Sequence, residues 1–277
     1  MVAVLLILSF QSQVLASGRR ALATHLPLWC LVRSVAPEDW EVGILIRPGT
    51  DVHSFSLRPG DVKDIGTAEV VFKSGAGLEK YLEKGFRSAR KVVDASEGIE
   101  ALRWGQGDPN PHIWLDPVLA SNMVDNIAVY FKGDAAAQER AARLRSELNT
   151  VQLDAGRKLG PLKGKVLVTY HESFAYLARR YGLRDYSLTG PNSDTPLPSR
   201  MRELYDMARE GGLRAVFVEA GYPQDALRRM ASELGLEVCT LENMTTGPME
   251  PGYYIKGMRN NVDTIARCLA EVDGSKR

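Results

Sequence analysis

The chain has 277 residues, with 35 Lys plus Arg against 34 Asp plus Glu, for a formal net charge of +1. That length suits one large domain or two smaller ones. The charge balance gives no electrostatic case for nucleic acid, whose binders carry a basic surplus. Three cysteines exclude a disulfide scaffold and a Cys-rich zinc fold, and histidines are scarce: His25, His53, His112 and His171.

The first ten residues are an apolar run, too short for a membrane-spanning helix, which needs roughly 20 residues. With Val14 and Ala16 behind it, the run reads as a signal peptide over 1–16. The alternative is a first buried strand. Arg19-Arg20 follows the apolar run, so it is not a twin-arginine export signal. No cysteine stands just after the run to carry a lipid anchor, and no later stretch approaches 18 apolar residues. The mature chain is therefore expected to be soluble and exported.

Val42 to Ile46 reads as a buried strand closed by Arg47-Pro-Gly-Thr50. Val70 to Phe72 reads as a second strand. Leu78, Tyr81, Leu82 and Phe86 give a helical stripe over 78–92. Lys91 to Val93 is a further candidate strand, and 97–111 is a polar loop. Asp116-Pro117 has the form of a helix cap followed by proline at the first helical position. Residues 135–159 favour one long helix, about 37 Å at 1.5 Å per residue. Its place in mid-chain lets it join two lobes.

Beyond Gly160-Pro161 strands and helices alternate. Strands are expected at Lys165 to Thr169, Ala215 to Val218 and Glu237 to Thr240. Helices are expected at Phe174 to Tyr181, Pro198 to Arg209, Gln224 to Leu234 and Tyr253 to Glu271. The alternation predicts an α/β fold with mainly parallel sheets.

Three histidines fall at junctions between loops and elements. His53 follows the strand ending at Ile46, His112 precedes the Asp116 helix, and His171 tips the strand ending at Thr169. Ligands of open α/β sheets bind beyond the carboxyl ends of strands, so the three can share one site. Each histidine alone also fits an ordinary loop position. His25 reads as structural and Trp114 as core. Asp116 reads as a helix cap. Glu172 is either a partner of His171 or a solvated acid. Cys239 and Cys268 either pair or stay as buried thiols, and Cys30 remains single.

Leu45-Ile-Arg-Pro-Gly-Thr-Asp-Val-His53, Asn110-Pro-His-Ile-Trp-Leu-Asp-Pro117 and Tyr170-His-Glu-Ser-Phe-Ala-Tyr-Leu-Ala-Arg-Arg-Tyr-Gly-Leu183 resemble the metal-binding signatures of the cluster A-I solute-binding proteins. These are the zinc- and manganese-binding components of ABC importers. Gly77-Leu-Glu79, Phe217-Val-Glu219 and Tyr254-Ile-Lys-Gly-Met258-Arg-Asn-Asn261 support the resemblance, which covers roughly 20–272. It implies two α/β lobes joined by one long rigid helix: an N-terminal lobe over 17–133, a linking helix over 134–160 and a C-terminal lobe over 161–277. It puts metal ligands at His53, His112 and His171. The fourth ligand is Glu250, Glu219 or water, because the family's usual Asp aligns near Gly252. The His-rich loop that many zinc members carry between the first two ligands has no counterpart here.

Three neutral imidazoles and one oxygen suit tetrahedral Zn²⁺. Manganese prefers more oxygen ligands. The resemblance therefore implies a monomeric periplasmic protein that carries Zn²⁺ to an ABC permease. A manganese-binding homologue and a metal-dependent adhesin share the same pattern. A zinc hydrolase is the reading from another class, but no His-Glu-x-x-His, Gly-x-Ser-x-Gly or paired-carboxylate motif supports it.

Overall fold

The computed structural model describes residues 18–103, 107–189 and 195–270. The expected signal peptide over 1–16 lies outside them.

The first half is built on β1 (Arg19–Ala23), β2 (Trp40–Ile44), β3 (Val70–Lys73) and β4 (Val92–Asp94). They form an all-parallel sheet in the order β2-β1-β3-β4. Helices α1 (Leu26–Val35), α2 (Pro59–Thr67), the short α3 (Glu83–Phe86) and α4 (Pro117–Tyr130) accompany it. Then comes α5 (Ala135–Leu159). The second half repeats the scheme with β5 (Val166–Thr169), α6 (Ala175–Tyr181), β6 (Arg184–Ser187), α7 (Pro198–Arg209), β7 (Ala215–Glu219), α8 (Asp225–Glu233), β8 (Glu237–Leu241) and α9 (Tyr253–Leu269). Its sheet is also parallel, in the order β6-β5-β7-β8. Two such lobes joined by a long helix are the expected architecture.

Helix α5 has the bounds its composition predicts. Asp134 caps it by accepting from the Ala137 amide at 2.6 Å, and Arg157 and Lys158 lie at its negative end. Ala137, Ala141, Leu144, Leu148, Val151, Ala155 and Leu159 form one buried stripe. This three-and-four spacing lets α5 bury a single face along its length. It packs on α4 from the first half and α9 from the second. One hydrophobic core therefore runs from β1 through α5 to α9, with a smaller second cluster around β7 and α8.

Several local expectations need correction. The helix expected over 78–92 is only a turn at Lys80–Leu82 followed by α3. Gly85 there meets Leu57 so closely that a Cβ would lie 2.2 Å from the Leu57 Cδ1 atom. Tertiary contact thus holds the segment against the α2 approach. The strand expected over Val42 to Ile46 lies two residues earlier at both ends, at Trp40–Ile44. Elements β1, α1, α2 and β6 are additions to the sequence reading. Cys239 and Cys268 form a disulfide that staples β8 to α9, and Cys30 is a buried free thiol.

Candidate metal site

All three junction histidines meet between the lobes. Their ring centroids form a near-equilateral triangle: His53 to His112 is 5.2 Å, His53 to His171 is 5.3 Å and His112 to His171 is 5.2 Å. One nitrogen from each lies within 4.8 Å of the others. His112 and His171 are buried, at 3% and 1% exposure, while His53 is half-buried beside a cavity of about 410 Å³. Among the described residues, the other grouping of metal-ligating types is Glu237 with Cys239 and Cys268, already closed by the disulfide.

Each ring is aimed by its loop. His53 lies in a turn where its own amide donates to Asp51 Oδ1 at 2.9 Å. The Tyr81 hydroxyl donates to the carbonyl of Val52 and ties that turn to the loop after β3. His112 depends on Asn110. The Asn110 Nδ2 group donates to the Glu172 carbonyl at 3.0 Å, so its amide oxygen must face the other way. That oxygen accepts from the His112 amide at 3.0 Å and from His112 Nδ1 at 2.9 Å. Nδ1 therefore carries the proton, and the Nε2 lone pair is left for a metal.

His171 stands two residues beyond β5. Its amide donates to Glu219 Oε2 at 2.7 Å, and its Nδ1 lies 3.2 Å from Thr189 Oγ1. Its ring stacks on Tyr222 at 4.7 Å. Burial and the neighbouring imidazoles hold the His112 ring well below the usual histidine pKa, and burial with His53 lowers His171 to about 3. Both rings are therefore neutral at physiological pH and keep the lone pairs that ligation requires.

Neither carboxylate considered for the fourth position joins the imidazoles. Glu250 is exposed. Its backbone is occupied instead: the carbonyl faces the Cys30 thiol and accepts from the Tyr253 amide. Glu250 is not among the ligating groups that lie within 4.8 Å of one another at the three histidines. Glu219 is fully buried, holds the His171 amide through Oε2, and has its pKa raised to about 8 by burial. It supports the His171 loop. Glu172 is half-buried with its pKa raised to about 8 by burial, and its carbonyl is the lobe-crossing acceptor for Asn110.

Further bonds cross between the halves around the triangle. The indole of Trp114, wholly buried, donates to the Asn243 carbonyl at 3.0 Å, and the Trp114 carbonyl accepts from the Tyr254 hydroxyl. Gly49 donates to Thr245 at 3.0 Å. Asp116 caps α4 through the amides of Val118 and Leu119 and pairs with Arg180 of α6 at 2.5 Å. The sequence marked Asp116 as a cap; the ion pair to the other lobe is additional. The roles of Asn110, Thr189 and Tyr222 were missed as well. The only signal for Asn110 was its place two residues before His112.

The chain matches the family of the zinc-uptake complex component A, periplasmic, over residues 22–268. It belongs to that family. A protein of Thermotoga maritima named for metal binding is 29% identical over 272 residues, covering 96% of this chain and 98% of the relative. The zinc-binding protein AdcA of Streptococcus pyogenes is 25% identical over 302 residues, and the match spans 58% of AdcA. Among solved structures, the laminin-binding protein Lmb of Streptococcus agalactiae superposes with a TM-score of 0.83 at 24% identity, covering 91% of this chain and all of Lmb. Membership in the zinc-uptake family assigns the chain to metal binding for transport. The hydrolase reading falls with it.

Proposed function

We propose that this protein captures Zn²⁺ between its lobes at His53, His112 and His171 and delivers it to an ABC permease. The observation that carries the reading is the triangle of neutral imidazoles, two of them buried, built from both halves of the chain. Three nitrogens at Zn–N distances of about 2.0–2.1 Å leave one tetrahedral position, which goes to water. The absence of a carboxylate from the group, among the described residues, supports water over Glu250 or Glu219. The same nitrogen-rich set favours zinc over manganese, which takes more oxygen.

The lobes are assigned to 17–133 and 161–277 with 134–160 as the link, and 1–16 directs export to the periplasm. The protein acts as a monomer, since both sides of its site come from one chain. Metal analysis of the purified protein, followed by competition between Zn²⁺ and Mn²⁺, tests the reading. One zinc per chain is expected, and His112→Ala lowers the affinity by orders of magnitude while the fold survives. Preferential retention of Mn²⁺ overturns the zinc assignment.

A further inference from the structure

A fourth histidine lies near the site with no part in it. His25 begins α1, two residues past β1, and is 1% exposed. Neither of its ring nitrogens has a hydrogen-bond partner. Buried polar groups are nearly always satisfied, and an orphaned one needs a physical reason. An apolar side chain of similar size would fill this space without that penalty.

Its place in the fold supplies one. Strands β1 and β2 are neighbours, His25 follows the carboxyl end of β1 and His53 follows that of β2. The His25 ring packs on Trp114 at 4.7 Å, and Trp114 packs on His112 at 5.1 Å. The first half of the chain thus carries three imidazoles along one edge, and the second half contributes only His171. Trp114 separates His25 from His112. The polar anchors of Trp114, Asn243 and Tyr254, belong to the second half, so its seat depends on the lobes being together.

We propose that His25 is an alternate metal ligand: with the lobes apart, His25, His53 and His112 hold Zn²⁺ on the first half alone, and closure exchanges His25 for His171 as Trp114 takes its seat. The inference rests on the zinc reading and adds a capture step to it. The exchange is balanced, since one neutral imidazole leaves the metal as another arrives and no proton moves. Three imidazoles are held at each stage, a set that suits zinc. A ligand released in this way has no competing hydrogen bond in the closed form, as observed for both His25 nitrogens.

The test uses four proteins: the unchanged chain, His25→Leu, His171→Ala and the double variant. Each is titrated with zinc chloride against a chelating dye, with circular dichroism to confirm folding. His25→Leu is expected to match the unchanged chain at equilibrium, because the closed site does not use His25. His171→Ala is expected to retain one weakened zinc, and adding His25→Leu to it lowers affinity by a further factor of about ten or more, some 1.4 kcal/mol. Equal affinity of His171→Ala and the double variant overturns the proposal, as does complete loss of zinc from His171→Ala. Failure of the unchanged chain to bind zinc removes the zinc reading itself. If the leucine variant does not fold, His25→Gln takes its place in both arms.

Discussion

Asn110→Ala removes three hydrogen bonds made by one side chain. Two of them hold His112, at 3.0 Å to its amide and 2.9 Å to Nδ1, and the third crosses to Glu172 at 3.0 Å. A buried neutral hydrogen bond contributes about 1 kcal/mol net, and orphaning its partner costs about 1–3 kcal/mol. Without the Asn110 oxygen, His112 has no fixed tautomer, and part of the population presents a protonated Nε2 to the metal. Loss of a partner that orients a metal ligand typically costs about 10–100-fold in affinity, or roughly 1.4–2.8 kcal/mol. Competitive zinc titration should show a drop in that range, and nitrogen-15 spectra of the metal-free protein should show His112 shifting from one tautomer to a mixture. Asn110→Asp separates the two functions. It keeps an acceptor for His112 but offers no donor to Glu172, so its zinc affinity should stay within about tenfold of the unchanged chain. An alanine variant that binds zinc as tightly as the unchanged chain would refute the orienting role.

Burial lowers the His25 pKa to about 3, so between about pH 6.5 and 3 the unfolded chain binds a proton there that the folded chain does not. The folded state loses stability as pH falls through that window, by up to about 1.4 kcal/mol per unit for this one group. His25→Leu should therefore lose less stability than the unchanged metal-free protein between pH 6.5 and 4 in urea melts; parallel curves would contradict the burial argument. Asp116→Ala removes the α4 cap and the partner of Arg180, and about 2–4 kcal/mol of lost stability should lower the melting temperature by roughly 5–15 °C. Asp116→Asn keeps a capping oxygen and should lose less. Replacing Cys239 and Cys268 together by serine opens a loop with a sequence separation of 29 residues, and should cost about 3.6 kcal/mol in calorimetry while zinc affinity is retained.

What could be read before the structure was whatever is written in local order. Helix α5 could be read because its stripe and its cap lie within one continuous segment. The three clustered histidines stood out because each follows or precedes an element end. Helix α1 was missed because Leu26–Val35 is buried almost all round and shows no polar face to set a period. Strand β6 was missed because Arg-Asp-Tyr-Ser is a polar edge strand with little apolar signal. Residues 78–92 misled in the opposite direction: the stripe was present, but Gly85 and its contact with Leu57 decided the backbone. The supports of the site were illegible for a related reason. Asn110 and Glu172 are 62 residues apart, and Trp114 and Asn243 are 129 apart, so their pairing exists only after folding.

Helix α5 also bounds the motion that release from the proposed site needs. It is one unbroken rod of 25 residues, about 37 Å long, anchored in a core shared by both halves. Taking half its length as a lever arm, about 19 Å, a bend of roughly 3° moves a group at its end by about 1 Å. That is half of a Zn–N bond of about 2.0–2.1 Å, enough to take an imidazole out of ligation. Helices in ordinary proteins curve by more than this along their length. On the proposed site, release does not require the cleft to gape: a slight flexing of the rod separates His171 from His53 and His112, against the lobe-crossing bonds around Asn110, Trp114 and Asp116 and the core shared by both halves.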